Sequence, residues 1–213
     1  MKKKHWENIY SNKGMKEVSW FQETPETSLG LIAKLNLKKD VSIIDVGGGD
    51  GFLVDNLLAL GYTNITVLDI SGNAINRAKE RLGKLAEKVK WIVADITEFV
   101  PDHQYAVWHD RAVFHFLTKE KDINSYKELV SSAISDYFIL STFSDEGPNK
   151  CSGLEICKYS ELDLKKQFEE TFNVVDSFKE NHSTPFETIQ NFTFSVFLKN
   201  KIRQKTKLEY ENI

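Results

Sequence analysis

The fold is decided by residues 41–51, which read VSIIDVGGGDG. Residues 41–46 are mostly apolar and β-branched and predict a buried strand, and the glycines after them predict a tight turn. In residues 52–60 apolar side chains recur at near-helical spacing, and Gly61 follows as a helix C-terminal residue. A strand, a glycine turn and a helix in this order predict a ligand site where the strand ends.

Outward from this unit, strand and helix patterns alternate along the chain. This alternation predicts an α/β fold with a Rossmann-like, doubly wound, mostly parallel seven-stranded sheet and helices on both faces. The last two strands follow each other without a helix and predict an antiparallel edge hairpin. The further predicted strands are residues 64–69, 89–95, 105–109, 136–143, 172–178 and 192–198, and the further helices are residues 73–88, 119–132 and 160–171.

The flanks of this domain have different patterns. Residues 1–36 look mostly helical and predict an N-terminal helical cap over the ligand edge of the sheet. Residues 37–200 then form one α/β domain, which the length of 213 residues allows. Residues 201–213 are charged and predict a frayed helix or a disordered tail.

Composition excludes several classes of protein. The net charge of -3 lacks the basic footprint of a nucleic-acid binder. No segment approaches the roughly 20 apolar residues of a membrane span. Cys151 and Cys157 fit no zinc or redox motif and suggest a reducing compartment. We therefore expect a cytoplasmic protein without a metal, a nucleic-acid partner or a membrane partner; the oligomeric state stays open.

The first strand end favours a cationic ligand. Gly47, Gly49 and Gly51 allow a close backbone approach, but a dinucleotide fingerprint requires a further glycine where this chain has Phe52. Asp45 precedes the glycines and would repel a diphosphate, whereas it suits a ligand with an ammonium group. The alternative is an ordinary tight turn between strand and helix.

The next two strand ends carry carboxylates. Asp69 ends the second strand, where it can accept hydrogen bonds from ribose hydroxyls; nicotinamide enzymes use the same device. Asp95 ends the third strand and can accept from an adenine amino group, with Ile96 against the ring. The alternatives are a helix cap at Asp69, a role that Ser71 can also fill, and a turn cap at Asp95.

The fourth strand end, residues 108–117, is crowded with ionisable and aromatic groups. Such crowding is costly in a core and favours a cleft. An Asp110–Arg111 salt bridge that shapes the loop is the alternative.

At these four strand ends the chain resembles the class I S-adenosylmethionine (AdoMet)-dependent methyltransferases. Their D/E-x-G-x-G-x-G pattern falls on residues 45–51, and the segment after strand four is similar to residues 110–117. The resemblance implies that residues 37–200 are a class I methyltransferase domain with AdoMet as cofactor and S-adenosylhomocysteine (AdoHcy) as product. The cofactor-binding residues that it implies are Asp45, Gly47, Gly48, Gly49, Asp69, Ile70, Asp95, Ile96, Asp110 and Trp20.

A narrower resemblance concerns the N-terminal segments. Residues 5–10 and 19–22 are similar to those of a small methyltransferase group that includes enzymes methylating lysines of translation factors. By this resemblance Tyr10, Trp20 and Gln22 close the pocket. The group has an acid where this chain has His115, and this departure weighs against a lysine acceptor.

Methyl transfer from a sulfonium needs alignment, exclusion of water and, for some acceptors, a base. We expect His115 as the first candidate base, His109 as the second and His182 as the third, with Asp110 as a further catalytic candidate. The loop over residues 144–154 is expected to set acceptor choice, with Cys151 as a small buried filler.

The sequence thus predicts an AdoMet-dependent methyltransferase that acts on a small molecule. The alternatives are a protein-lysine methyltransferase and a non-catalytic AdoMet-binding protein. A nicotinamide-dependent oxidoreductase is disfavoured by Asp45 and Phe52.

Overall fold

The computed structural model describes residues 2–200, and the predicted charged tail, residues 201–213, lies outside them. The strands are β1 Ile43–Val46, β2 Ile65–Asp69, β3 Val89–Val93, β4 Tyr105–Arg111, β5 Ile134–Phe143, β6 Lys150–Cys151, β7 Leu154–Glu155, β8 Phe172–Ser183 and β9 Ile189–Lys199. The α-helices are α1 Lys2–Asn12, α2 Glu26–Lys34, α3 Leu53–Ala59, α4 Gly72–Leu82, α5 Glu120–Ala133 and α6 Glu161–Phe168. Short 3-10 helices cover Met15–Glu17, Gly83–Lys88 and Phe114–Phe116.

The main sheet has seven strands in the order β3-β2-β1-β4-β5-β9-β8. The pairs among β1 to β5 are parallel, whereas β9 pairs antiparallel with both β5 and β8. The predicted fold class, including the antiparallel edge hairpin, is confirmed. The order reverses at β1 and β4, so their carboxyl ends flank the crevice where open α/β sheets bind ligands.

Two hydrophobic clusters cover the two faces of the sheet. One contains Tyr126 of α5 and Phe168 of α6. The other contains Ile32 of α2, Leu57 of α3 and Ile75 of α4. Because each face of the sheet buries its apolar side chains under helices, the predicted helices on both faces are confirmed.

Some element boundaries differ from the sequence prediction. The α-helix predicted over residues 73–88 ends at Leu82, because Gly83 takes a positive φ of 54° and a 3-10 helix follows. The loop predicted over residues 144–154 contains the small antiparallel hairpin β6–β7. This hairpin pairs two residues on each side, which is too short to leave a periodic pattern in the sequence.

The N-terminal cap is fastened to α4. The Glu7 carboxylate accepts hydrogen bonds from the Ser71 hydroxyl at 2.8 Å and from the backbone N–H groups of Gly72 at 2.9 Å and Asn73 at 3.1 Å. The N–H groups of a first helical turn lack partners within the helix, so an acid from another element satisfies them well. Arg77 donates to the carbonyl of Tyr10 at 3.0 Å. These bonds hold α1 across the ligand edge of the sheet.

None of the helices in residues 2–200 has the length and apolar character that a bilayer span requires.

Candidate active site

A cavity lies at the carboxyl ends of the parallel strands, between the sheet and the N-terminal cap. The sequence-predicted residues that line it are Asp45, Gly47, Gly48, Asp69, Ile70, Asp95, Ile96, His109 and Trp20. Tyr10, Gln22, Gly51 and Cys151 line it as well, whereas Gly49, Asp110, His115 and His182 are not among its described lining residues.

The turn after β1 can be made only by glycines. Gly47 takes a φ of 68°, and a Cβ there would collide with the Val113 side chain. A Cβ at Gly48 would lie 2.5 Å from the Asp45 carboxylate. The Gly51 N–H donates to the Gly48 carbonyl at 2.8 Å and closes the turn. The resulting bare backbone is the surface that a ligand can approach closely.

Asp45 is held in a buried chain of hydrogen bonds. Its carboxylate lies 2.7 Å from Nδ1 of His109, and Nε2 of His109 lies 2.9 Å from the Ser28 hydroxyl. All three side chains are buried and all three line the cavity. We assign the proton on Nδ1 to the bond with Asp45, which leaves Nε2 as the acceptor. This arrangement fixes both the carboxylate and the imidazole at the cavity wall.

Asp69 lines the cavity and is a weaker acid than an ordinary aspartate. Its Oδ1 accepts from the Ser71 N–H at 2.8 Å, while the Ser71 hydroxyl caps α4 by accepting from the Ala74 N–H. Burial, together with the charges of Asp50 and Asp45 and against the lowering effect of the Ser71 bond, raises the pKa of Asp69 to about 7. Asp69 is therefore not the helix cap, and its carboxylate gains from any ligand hydroxyl that donates to it.

Asp95 and Ile96 line the cavity just beyond the carboxyl end of β3. Oδ1 of Asp95 accepts from the backbone N–H and the hydroxyl of Thr97 at 3.0 and 2.8 Å, so the turn cap foreseen as an alternative is present. Asp95 still lines the cavity while it makes this cap. Ile96 is buried and presents an apolar surface beside it.

Asp110 lies on the opposite side of β4 from the cavity. The backbone N–H of Val113 donates to its carboxylate at 2.9 Å, and the Tyr126 hydroxyl donates at 2.5 Å. It is fully buried, and burial raises its pKa to about 6. Neither the catalytic nor the cofactor-binding role predicted for Asp110 has geometric support, because its oxygens point into the core. Asp110 shapes the loop after β4, but through Tyr126 and the backbone rather than through a salt bridge to Arg111.

His115, the first candidate base, lies behind the cavity wall. It is fully buried, and its Nδ1 accepts from the Phe143 N–H at 3.2 Å. Its Nε2 has no hydrogen-bond partner among the described residues. Burial and, to a smaller extent, the charge of Arg111 lower its pKa to about 3. Such an imidazole is a poor proton acceptor at neutral pH, so the predicted catalytic role lacks geometric support.

We expect His115→Ala to lower the free energy of unfolding by about 1–3 kcal/mol, because the buried Phe143 N–H loses its acceptor. Urea unfolding measures this loss, and calorimetry should find the AdoHcy affinity of the folded variant unchanged. His103→Ala is the matched control, since His103 is exposed on the surface. Slow turnover of His115→Ala at unchanged stability would restore His115 as a catalytic residue.

The contacts of His182 and Cys151 are typical of residues that stabilise the fold. Nε2 of His182 lies 2.7 Å from the Ser19 carbonyl, which ties β8 to the cap, and burial lowers its pKa. The Cys151 thiol is buried among apolar side chains, and burial raises its pKa to about 11. A thiol that stays protonated at neutral pH suits the filler role rather than a nucleophile. Within residues 2–200 no group of three or more His, Cys, Asp or Glu side chains is suited to hold a metal ion.

The cavity is also lined by residues that the sequence did not single out as site residues, among them Ser28, Arg111, Gln190 and Phe192. Ser28 comes from α2, and Gln190 and Phe192 come from β9, which the antiparallel pairing places beside β5. Arg111 follows His109 by two positions on β4, and the two-residue period of a strand was a signal that placed it on the same face.

Residues 43–132 match a family model described as a methyltransferase domain. This stretch runs from β1 into α5 and contains all four strand ends of the cavity. The match, the fold and the strand-end carboxylates define the class of protein. Residues 43–132 are a methyltransferase domain, and the sheet that contains them has the class I fold.

Two curated relatives are similar to this chain in sequence. It is 22% identical over 194 residues to the human EEF1A lysine methyltransferase 2, and the match covers 82% of this chain and 75% of that protein. It is 28% identical over 120 residues to the eEF1A lysine and N-terminal methyltransferase of Bos taurus. That match covers 55% of this chain but 17% of that longer protein.

A solved structure supports the fold over nearly the whole chain. The N-methyltransferase NodS of Bradyrhizobium japonicum, in complex with AdoHcy, superposes with a TM-score of 0.70 at 16% identity. The superposition covers 93% of this chain and 98% of NodS. At this identity the likeness is one of fold.

Proposed function

We propose that the protein transfers a methyl group from AdoMet to a small-molecule acceptor inside a roofed cavity. The observation that carries this proposal is the roof itself. Trp6 and Trp20 of the cap pack edge to face at 5.8 Å, and Trp6 packs on Phe116 at 5.2 Å. Glu7 fastens this roof to α4. An aromatic roof over part of the cavity limits the access of water and bulky partners, which favours a small acceptor over a protein side chain.

The residues present fit AdoMet. Gly47 and Gly48 line the cavity without side chains, so the methionine portion can lie against bare backbone. We assign the amino group to Asp45, the ribose hydroxyls to Asp69 and the adenine to Asp95 with Ile96. The bound sulfonium supplies an electrophilic methyl group, and Trp20 offers an aromatic face nearby for its charge.

His109 is the proposed base. Asp45 orients its ring, and its Nε2 faces the cavity wall beside the Ser28 hydroxyl. Asp45, Asp69 and Asp95 would hold AdoMet so that its methyl group could be supplied to the nucleophilic atom of the acceptor. The acceptor's proton passes to Nε2 of His109, either directly or through Ser28. The residues of the cavity thus align the acceptor with the methyl group, exclude water and position the His109 imidazole.

We expect His109→Gln to slow methyl transfer at saturating AdoMet by about 100-fold or more, since general-base assistance is lost. Its AdoHcy affinity should fall by less than about tenfold, because Gln can still donate to Asp45. His103→Gln is the matched control, because it makes the same change at an exposed histidine that does not line the cavity. A near wild-type rate for His109→Gln would exclude His109 as the base.

The proposed function is tested by incubating the protein and radiolabelled AdoMet with a cell extract that is then separated by size. We expect a labelled small molecule that separates from AdoMet by chromatography and that does not form without the protein. Label confined to the macromolecular fraction would overturn the small acceptor.

A protein-lysine acceptor is the second candidate, favoured by the likeness to the human EEF1A lysine methyltransferase 2. Labelled protein, with methyl-lysine found after hydrolysis, would establish it. A protein that binds AdoHcy but labels neither fraction would support the non-catalytic alternative.

A further inference from the structure

We infer that Arg111 binds a carboxylate of the acceptor, so that the acceptor is an organic acid methylated at an atom other than that carboxylate. This inference rests on the proposed function and adds to it the chemical class of the substrate. It is carried by the position, the contacts and the charge of one side chain that the methyl-transfer chemistry itself does not use.

Arg111 ends β4 and lines the cavity half-buried. Its guanidinium lies over the Phe192 ring, 5.1 Å from the ring centroid. It makes one long hydrogen bond, from Nη1 to the Trp20 carbonyl at 3.4 Å. Most of its N–H donors are therefore uncommitted, and the stacking on Phe192 holds the planar fork in one orientation.

No ion pair of Arg111 occurs within the described chain, although acids lie nearby. The two carboxylates whose charges act on it most are Asp45 and Glu180. Asp45 is bound to His109, and Glu180 accepts from the Thr27 hydroxyl at 2.6 Å. Burial lowers the pKa of Arg111 to about 10, so it stays charged at neutral pH. A partly desolvated cation without a partner is unfavourable, and an anionic ligand would relieve that cost.

The charges of the cavity wall are separated along the sheet. The acids that line it, Asp45, Asp50, Asp69 and Asp95, lie near or just beyond the carboxyl ends of β1, β2 and β3. Arg111 is the only Lys or Arg among the described lining residues, and it lies on the β4 side, toward β5 and β9. The acidic side suits the ammonium and hydroxyl groups of AdoMet. The cationic side therefore belongs to the acceptor, and it suits an anion.

The chemistry favours a carboxylate over other groups. A carboxylate matches the planar fork of a guanidinium with two parallel hydrogen bonds and brings one negative charge to one cation. A phosphate dianion would leave a charge unbalanced beside the buried Asp45. The ammonium of a lysine would be repelled. Ser28 and Gln190 line the same cavity and offer neutral polar groups for the rest of such an acid.

The inference is tested by calorimetric titration of the AdoHcy-saturated protein with benzoate, benzamide and benzylammonium. Benzoate should bind at least about tenfold more tightly than its neutral or cationic counterpart, as expected for charged hydrogen bonds. Arg111→Gln should abolish this preference and Arg111→Lys should keep part of it, while AdoHcy affinity and thermal unfolding change little in both variants.

Three results would overturn the inference. Benzoate that binds no more tightly than benzamide, or a preference that persists in Arg111→Gln, would remove the carboxylate site. A loss of AdoHcy affinity of about tenfold or more in Arg111→Gln would assign Arg111 to the cofactor's own carboxylate instead. Titration without AdoHcy keeps the two proposals separate: a wild-type protein that binds no AdoHcy fails the proposed function, while its preference for benzoate still reports on Arg111.

Discussion

Asp69→Asn is expected to weaken AdoHcy binding roughly 10- to 100-fold, the loss that follows when hydrogen bonds to a charged acceptor are removed. The substitution keeps the size of the side chain and an oxygen for the Ser71 N–H, so the fold should persist. Calorimetry at a pH above the raised pKa of Asp69 measures the effect. Asp102→Asn is the matched control, because Asp102 is an exposed surface acid that pairs with Lys90. Equal affinities for both variants would exclude Asp69 from the ribose site.

The same residue gives the binding a pH dependence. With a pKa of about 7, Asp69 is largely protonated at about pH 6 and largely ionised at about pH 8. Ligand hydroxyls donate better to the ionised form, so AdoHcy affinity should rise with pH through this range and fall as the pH drops. In the Asp69→Asn variant this slope should disappear. A slope retained by the variant would assign the titration to another group.

Gly47→Ala should destroy the site and cost about 2–5 kcal/mol of unfolding free energy. A positive φ costs a non-glycine residue about 1–2 kcal/mol, and the collision with Val113 adds about 1–3 kcal/mol of overpacking. AdoHcy binding should fall below detection, because the turn would have to shift away from the position in which its backbone contacts the ligand. Urea unfolding and calorimetry measure the two effects.

Gly61→Ala separates the two causes. Gly61 has a φ of 85°, but a Cβ there would meet nothing within 4 Å. This variant should carry the backbone cost alone and bind AdoHcy like the wild type. If Gly47→Ala bound AdoHcy equally well, the close approach of the turn to the ligand would be refuted.

Local patterns were enough to predict the sheet. Buried β-branched runs with glycine or acidic ends identify β1, β2 and β3 because a parallel strand is buried on both faces and its end is not. The same logic brought Asp45, Asp69 and Asp95 to one edge, since the carboxyl ends of parallel strands share it. Element boundaries were less certain where a single glycine, such as Gly83, changes the type of helix.

At the end of β4 the local pattern does not predict which side chains face the cavity. The sequence pattern marks residues 108–117 as one crowded segment and predicts Asp110 and His115 in the same cleft as His109. The strand alternates its side chains, so His109 and Arg111 face the cavity while Asp110 faces Tyr126. His115 lies one turn further on, in a 3-10 helix that directs it toward Phe143.

The sequence by itself determined the class of fold, the glycine turn and the acidic side of the cavity, because each depends on residues that are neighbours along the chain. Only the tertiary structure decided the composition of the cationic side of the cavity. Ser28 of α2, Arg111 of β4 and Phe192 of β9 meet there only because the cap folds over the sheet and β9 pairs back on β5. Contacts between segments so far apart depend on packing and strand register, which no local pattern records.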